Sequence, residues 1–339
     1  MGHSKTFQSC TITSGFLCKF DDALISDLES AFSEDEASRR VLAQQIRMAC
    51  MNVGFFYVKN HGITQDFLDE VLKVNKEYYS LPDDEKMKLH HKTVPNFKGY
   101  SPPMEANIQP GNKGDLHEGF RIGWEEKSED PVTQSASCDG VMAGANVWPD
   151  KPENFRVACM DYYHAALAVG KKLFCLFALA LDLPETYFND KTMYSAATMR
   201  TLHYPPQPNA PDEKILGIGA HTDFVCFTIL WQQAGIEALQ VLNSREQWIN
   251  VPPLPGTLVI NLGDQFARWT NDVFKSTVHR ASNKNIVDRY SIALFFGTDY
   301  EVNIEPIYTC VSAENPAKYP AITAGEYVRQ RLKAMYNKS

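Results

Sequence analysis

The sequence predicts a mainly β protein with flanking helices, its core a double-sheet roll, and three observations carry that expectation. The part up to about residue 195 reads as helical and loop-rich. From Ala197 to about residue 310 the pattern changes to short strand-like segments separated by Pro, Gly and Asn, as a two-sheet roll requires. A helical stretch of about 323–336 closes the chain. There is no internal repeat and no low-complexity linker, so 339 residues, 44% of them hydrophobic, read as one domain with a sizeable core.

The elements follow in order. Ser33 and Glu36 have capping-box spacing ahead of Val41, Leu42, Ile46 and Ala49. Thr64 can cap a second helix that carries Phe67, Val71, Val74 and Tyr78 on one stripe. From Leu81 to Asp150 the composition turns to Pro, Gly, Lys and Asp. That marks a long loop region, the usual seat of specificity. A long helix is expected over about Pro152–Leu181, where Phe155, Cys159, Tyr162, Ala166, Val169, Leu173 and Phe177 recur at helical spacing. Thr323 and Glu326 cap the terminal helix, which bears Val328, Leu332 and Met335.

Charge and cysteine usage narrow the function classes. A formal net charge of −8 gives no electrostatic reason to expect nucleic acid or an anionic membrane as a partner. A small-molecule substrate and a monomeric protein are the expectation. The eight cysteines are scattered without a CxxC pair, and with no secretory signal in view this points to a reducing, cytoplasmic location. The longest uninterrupted apolar run, Leu173 to Leu181, is far short of the roughly 20 residues of a membrane span. Met1 to Thr6 formally fits a myristoylation pattern, but the match is short, its neighbours add nothing to it and a flexible start is the preferred expectation.

The chemistry concentrates in three short segments. In His221-Thr-Asp223, positions i and i+2 of a strand share a face, so both side chains can address one metal. His279, in Lys-Ser-Thr-Val-His-Arg, lies far enough on for intervening strands to bring it back beside them. Two histidines and a carboxylate suit a non-haem Fe(II) with open positions for O2 and a co-substrate. An isolated His-x-Asp on a surface strand would mean little. Arg289-Tyr-Ser291 adds weight, because a guanidinium and a hydroxyl on one strand face form a carboxylate receptor, with Tyr204 as a further donor. Glu118 and Arg121, beside His117 in the loop region, are candidate substrate contacts, as are Phe224 and Phe295 as pocket walls. The bland alternatives are a solvated loop and apolar core. His61 reads as structural, His203 can face either way, and His90, His91 and His164 form no constellation with the other three.

The ordered set of segments resembles the isopenicillin N synthase-like branch of the Fe(II)/2-oxoglutarate-dependent dioxygenases, closest in wording to fungal and other microbial members. It includes Gly-Phe-Phe-Tyr-Val-Lys-Asn-His-Gly-Ile (54–63), Gly-Tyr-Ser-Pro (99–102), His-Glu-Gly-Phe-Arg-Ile-Gly (117–123), Leu-His-Tyr-Pro (202–205), Ala-His-Thr-Asp-Phe (220–224), Asn-Leu-Gly-Asp (261–264) and Arg-Tyr-Ser (289–291). The resemblance implies a double-stranded β-helix (jelly-roll, cupin-like) core over about 196–310, iron on His221, Asp223 and His279, and the 2-oxoglutarate C5 carboxylate on Arg289, Ser291 and Tyr204. It also implies oxidation of a C–H bond of a small molecule in specialised metabolism, by hydroxylation, desaturation or ring formation. Two departures bear on substrate choice rather than on iron: Gly235-Ile-Glu-Ala stands where many relatives have a Gly-Gly pair, and the usual opening Ile-Asp strand is hard to see in the first thirty residues. Three alternatives stay open: a 2-oxoglutarate-independent oxidase of the isopenicillin N synthase type, a non-catalytic binding relative, and an ethylene-forming enzyme.

Overall fold

Two sheets face each other across a cup in the computed structural model, which describes residues 25–94, 96–109, 111–125, 144–207, 215–282 and 286–336. The Met1–Thr6 motif and Cys10, Cys18 and Cys138 lie outside these. In chain order the elements are β1 (Ile25–Asp27), α1 (Glu36–Asn52), β2 (Phe55–Lys59), α2 (Gln65–Tyr79), α3 (Asp83–Met87), β3 (Gly99–Ser101), β4 (Glu118–Gly123), α4 (Phe155–Ala180), β5 (Thr198–Tyr204), β6 (Ile218–His221) and β7 (Phe227–Gln232). Then come β8 (Leu239–Leu242), β9 (Trp248–Asn250), β10 (Thr257–Leu262), α5 (Asp264–Trp269), β11 (His279–Ala281), β12 (Arg289–Phe296), β13 (Asn303–Ile304), β14 (Ile322–Thr323) and α6 (Ala324–Tyr336). The larger sheet has the order β1-β2-β10-β7-β12-β5-β4-β3 and the smaller β6-β11-β8-β9. This is the jelly roll that the sequence predicts.

Strand alternation gives the large sheet two faces with different work. One is pressed on the helices: Phe174 and Phe177 of α4 meet Phe227 at 5.0 and 5.3 Å between ring centroids, and Phe174 meets Phe296 at 5.3 Å. Gly170 lets α4 come this close, since a Cβ there would stand 2.9 Å from the Phe296 ring. The opposite face looks into the cup. By register it carries Arg121, Arg200, Tyr204, Arg289, Ser291, Phe295, Thr228, Gln232 and Asn261.

Most helices start where the sequence places them. Thr64 caps α2, accepting from the Phe67 N–H at 3.4 Å, and Thr323 accepts from the Glu326 N–H at 3.2 Å ahead of α6. The cap of α1 differs. Asp35, not Ser33, accepts from the N–H groups of Ala37 and Ser38, because a carboxylate two residues nearer the helix reaches both. Ser33 instead ends a 3-10 turn, Leu28–Phe32. α4 is long and apolar enough to cross a membrane by composition, yet 67% of its most apolar window is buried inside the protein, so it is the core helix.

The N-terminal part is less purely helical than expected. Four strands of the large sheet, β1 to β4, come from it, and β3 and β4 lie within the expected loop region. Each is only three to six residues long, too short for a periodicity to register. The opening strand also exists: Ile25–Asp27 pairs in parallel with Tyr57–Lys59.

Candidate active site

His221 ends β6 and His279 begins β11, and the two are direct register partners. Asp223, two residues beyond His221, completes a group whose ligand atoms lie within 4.8 Å of one another. His221 Nε2 stands 3.7 Å from Asp223 Oδ1, and His279 Nε2 stands 3.8 Å from Asp223 Oδ2. The Nδ1 atoms and one carboxylate oxygen of the trio are already committed. His221 Nδ1–H donates to the Gly219 carbonyl at 2.8 Å and His279 Nδ1–H to the Thr277 carbonyl at 3.1 Å, which leaves both Nε2 lone pairs toward the carboxylate. Asp223 Oδ2 accepts from Thr228 Oγ1 at 2.5 Å and Asn261 Nδ2 at 2.7 Å. Among the described residues Oδ1 receives no hydrogen bond, so it remains available to a cation.

Burial and mutual charge shift two members of the trio. Burial, followed by the charge of His279, pushes His221 down to about 4. Burial alone would raise the Asp223 carboxyl, but His279, His221 and the two donors hold it below the ordinary carboxylate range. Two imidazoles and a carboxylate are the donor types that a divalent iron takes.

Arg289 and Ser291, on the cup face of β12, are each only 1% exposed, and among the described residues Arg289 Nε, Arg289 Nη1 and Ser291 Oγ have no hydrogen-bond partner. Arg289 Nη2 donates to Gln232 at 3.2 Å, and its guanidinium lies 4.6 Å from the Tyr204 ring centroid. A buried, partly unpaired guanidinium costs several kcal/mol, and a carboxylate is what this set of donors accepts. Tyr204 therefore contributes its ring face to the receptor.

The other candidates divide. Arg121 does face the cup, across the register from Arg200. Phe295 shares that face, paired with Thr198. Phe224 turns toward the C-terminal helix, where it packs on Tyr300 and Val328 and, with Thr198, walls a small cavity. Glu118 is a correction. It lies on the helix side of β4 and binds Lys86 at 2.7 Å, His203 Nδ1 at 2.7 Å and the Tyr100 hydroxyl, so it is a buried structural anion rather than a substrate contact. His203 faces the same way, with Nε2 2.6 Å from Asp288. The residue before Glu118, His117, has a positioning part instead: its Nδ1–H donates to Gly217 at 2.7 Å and its Nε2 accepts from Arg200 at 3.3 Å. Burial, then Arg200, pushes it down to about 3, which keeps it a neutral acceptor.

Sequence reasoning missed Thr228, Asn261, Gln232 and Asp115. Asp115 accepts from the Gly219 N–H at 2.9 Å, and Gln109 from the Ala220 N–H at 3.0 Å, so the segment before β4 is tied to the strand bearing His221. Strand alternation could have found Thr228 and Gln232; nothing local marks Asp115. A second cluster, His90, His91 and Glu105, also has metal-like spacing. Lys92 stands 2.5 Å from the same carboxylate, and that ammonium already supplies the counter-charge, so the cluster reads as an ionic latch.

A jelly roll carrying two histidines and a carboxylate, with a buried carboxylate receptor on its cup face, has the donor set of a non-haem iron oxygenase site. Residues 25–151 match the family model described as non-haem dioxygenase in morphine synthesis N-terminal, and residues 195–298 match the 2OG-Fe(II) oxygenase superfamily. The chain is 36% identical over 320 residues to a 2-oxoglutarate-Fe(II) type oxidoreductase, hxnY, of Emericella nidulans, covering 93% of this chain and 90% of that one. It is 33% identical to azadirone synthase of Melia azedarach, covering 86% and 87%. Its fold matches that of a full-length Neurospora crassa protein solved in complex with alpha-KG, with a TM-score of 0.81 at 28% identity, covering 93% and 98%; the same protein has also been solved with thymine. The chain belongs to the Fe(II)/2-oxoglutarate-dependent dioxygenases, and it is a 2-oxoglutarate-dependent oxygenase with iron and 2-oxoglutarate as its cofactor and co-substrate.

Proposed function

We propose that this enzyme oxidises a C–H bond of a small molecule in specialised metabolism, with Fe(II) on His221, Asp223 and His279 and the far carboxylate of 2-oxoglutarate on Arg289 and Ser291. The observation that carries the reading is the orphaned set of Arg289 and Ser291 donors on the cup face of the sheet. When bound, iron with O2 and 2-oxoglutarate supplies the oxidising power, the 2-oxo acid leaving as succinate and CO2. The chain's own residues orient and desolvate. Thr228 and Asn261 fix the Asp223 carboxylate, the Gly219 and Thr277 carbonyls fix the imidazoles, and Gln232 with Tyr204 holds the Arg289 fork.

Arg121 and Phe295, both on the cup face, are the proposed substrate contacts, with Arg200 held in place by His117. The relatives' own names, an azadirone synthase and a protein solved with thymine, support a small organic substrate. We further propose a cytoplasmic monomer; Cys50, Cys159, Cys226 and Cys310 are free and buried, as suits a reducing compartment. The test is anaerobic addition of Fe(II) and 2-oxoglutarate, then O2 with candidate substrates. Succinate equal to oxidised product supports the reading. Product without succinate would favour the oxidase alternative.

A further inference from the structure

Asp264, the first residue of α5, gathers groups from three separate parts of the chain. Thr222 Oγ1 donates to its Oδ2 at 3.0 Å, Ser276 Oγ donates to its Oδ1 at 2.7 Å, and Arg331 Nη2, from α6, stands 2.7 Å from Oδ2. Its backbone N–H donates to the Asp223 carbonyl at 2.7 Å. Thr222 sits between His221 and Asp223. Ser276 adjoins Thr277, whose carbonyl fixes His279 Nδ1 at 3.1 Å. His221 at the end of β6, Asp223 just beyond it and His279 at the start of β11 are therefore flanked by segments that this one residue holds. The preceding Gly263 leaves the loop no slack, because a Cβ there would stand 2.2 Å from the Val225 carbonyl oxygen and 2.8 Å from that of Asp223.

The partner on α6 is the unexpected part. Side-chain exposure is 43% for Arg331 and 19% for Asp264, and an ion pair that open adds little to global stability. What Arg331 can do is fix which way the carboxylate points. We infer that Asp264 is a positioning residue for the iron ligands and that Arg331 makes its setting depend on the docked C-terminal helix. α6 is then part of the metal site without touching the metal. This rests on the reading that His221, Asp223 and His279 bind the metal.

The test uses the full-length apo-protein titrated anaerobically with Co(II), following the visible d–d bands, and separately with Fe(II) and 2-oxoglutarate. Asp264→Asn replaces an acceptor oxygen with a donor facing hydroxyls, and metal affinity should fall about tenfold or more, as for other residues that orient ligands. Arg331→Ala, at a half-exposed site, should remain folded and lose roughly two- to fivefold, the range of such a pair. Arg331→Lys should recover most of that loss, and Asp264→Asn/Arg331→Ala should bind no worse than Asp264→Asn alone. The Co(II) spectrum should shift in Asp264→Asn, which a purely structural role would not produce. Wild-type Co(II) affinity and spectrum in both single variants, with only Tm changed, would overturn the inference. If the wild-type chain itself takes up no Co(II), or His279→Ala takes it up equally well, the triad reading falls first and this inference with it.

Discussion

The guanidinium of Arg289 lies 4.6 Å from the centroid of the Tyr204 ring, its direct register partner on the neighbouring strand, with two of its three nitrogens unpaired among the described residues. Burying an incompletely paired charge is costly, and that separates stability from binding. Arg289→Met is expected to leave the ligand-free protein as stable as the wild type or more so, since a buried charge is exchanged for an apolar chain of similar length. The variant should lose stabilisation by 2-oxoglutarate, which in the wild type reaches about 2.7 kcal/mol at a hundred times Kd. Thermal melts with and without 2-oxoglutarate decide it. A variant stabilised as much as wild type would show that the carboxylate binds elsewhere.

Metal retention should depend on the groups that hold Asp223 as well as on the ligands. His279→Ala removes one donor of three and is expected to abolish iron-dependent succinate formation. Asn261→Ala leaves Asp223 Oδ2 with Thr228 as its remaining donor, and Fe(II) affinity should fall about tenfold. Equilibrium titration of the apo-protein reads both. Full succinate formation by His279→Ala would refute the metal assignment.

Glu118 is expected to matter for folding and not for substrate. Lys86, with a side chain 5% exposed, has in it a buried counter-ion alongside the exposed Asp83, and breaking one side of such a buried pair costs about 3 kcal/mol. Burial pushes the Glu118 carboxyl up, but His203, Lys86 and Tyr100 more than offset that and hold it below the ordinary glutamate value. A depressed folded-state pKa contributes stability above the unfolded-state value, near 4.5, that is lost as pH falls through the folded one. Glu118→Gln should therefore lower Tm at pH 7 and narrow the gap to wild type below about pH 4, while substrate KM stays unchanged. A raised KM at unchanged Tm would restore the substrate role.

The parts legible in the sequence are those with strong periodicity or fixed chemistry. α2, α4 and α6 announce themselves through caps and apolar stripes, and the His221, Asp223 and His279 convergence follows from i,i+2 facing and a strand return. β1 to β4 are hidden because three to six residues, almost all buried in β2 and β4, show no alternation. Glu118 escapes for a related reason. In a strand, one step of register moves a side chain from cup to core, and the sequence names neighbours Glu118 and Arg121 without saying which looks inward. Asp115 and Arg331 act across the fold, where only tertiary structure can place them.

That same alternation predicts that the two faces of β12 can be perturbed separately. Gly170 lies against Phe296, on the helix face, while Arg289 and Ser291 point into the cup. In Gly170→Ala the new Cβ would stand 2.9 Å and 3.0 Å from Phe296 ring atoms and 3.4 Å from Ile229. The ring is packed between Phe174 and Phe227, with centroids 5.3 and 5.2 Å away, so it has little room to yield. Overpacking of this kind costs about 1–3 kcal/mol, against the gain of about 1 kcal/mol expected from replacing glycine within a helix. A net loss of stability in urea is therefore expected, with 2-oxoglutarate affinity close to wild type. Gly62→Ala, where φ is +84° and nothing lies within 4 Å, is the control for backbone strain alone. If Gly170→Ala instead weakens 2-oxoglutarate binding in proportion to its loss of stability, the sheet transmits strain between its faces and the cup is softer than its packing implies.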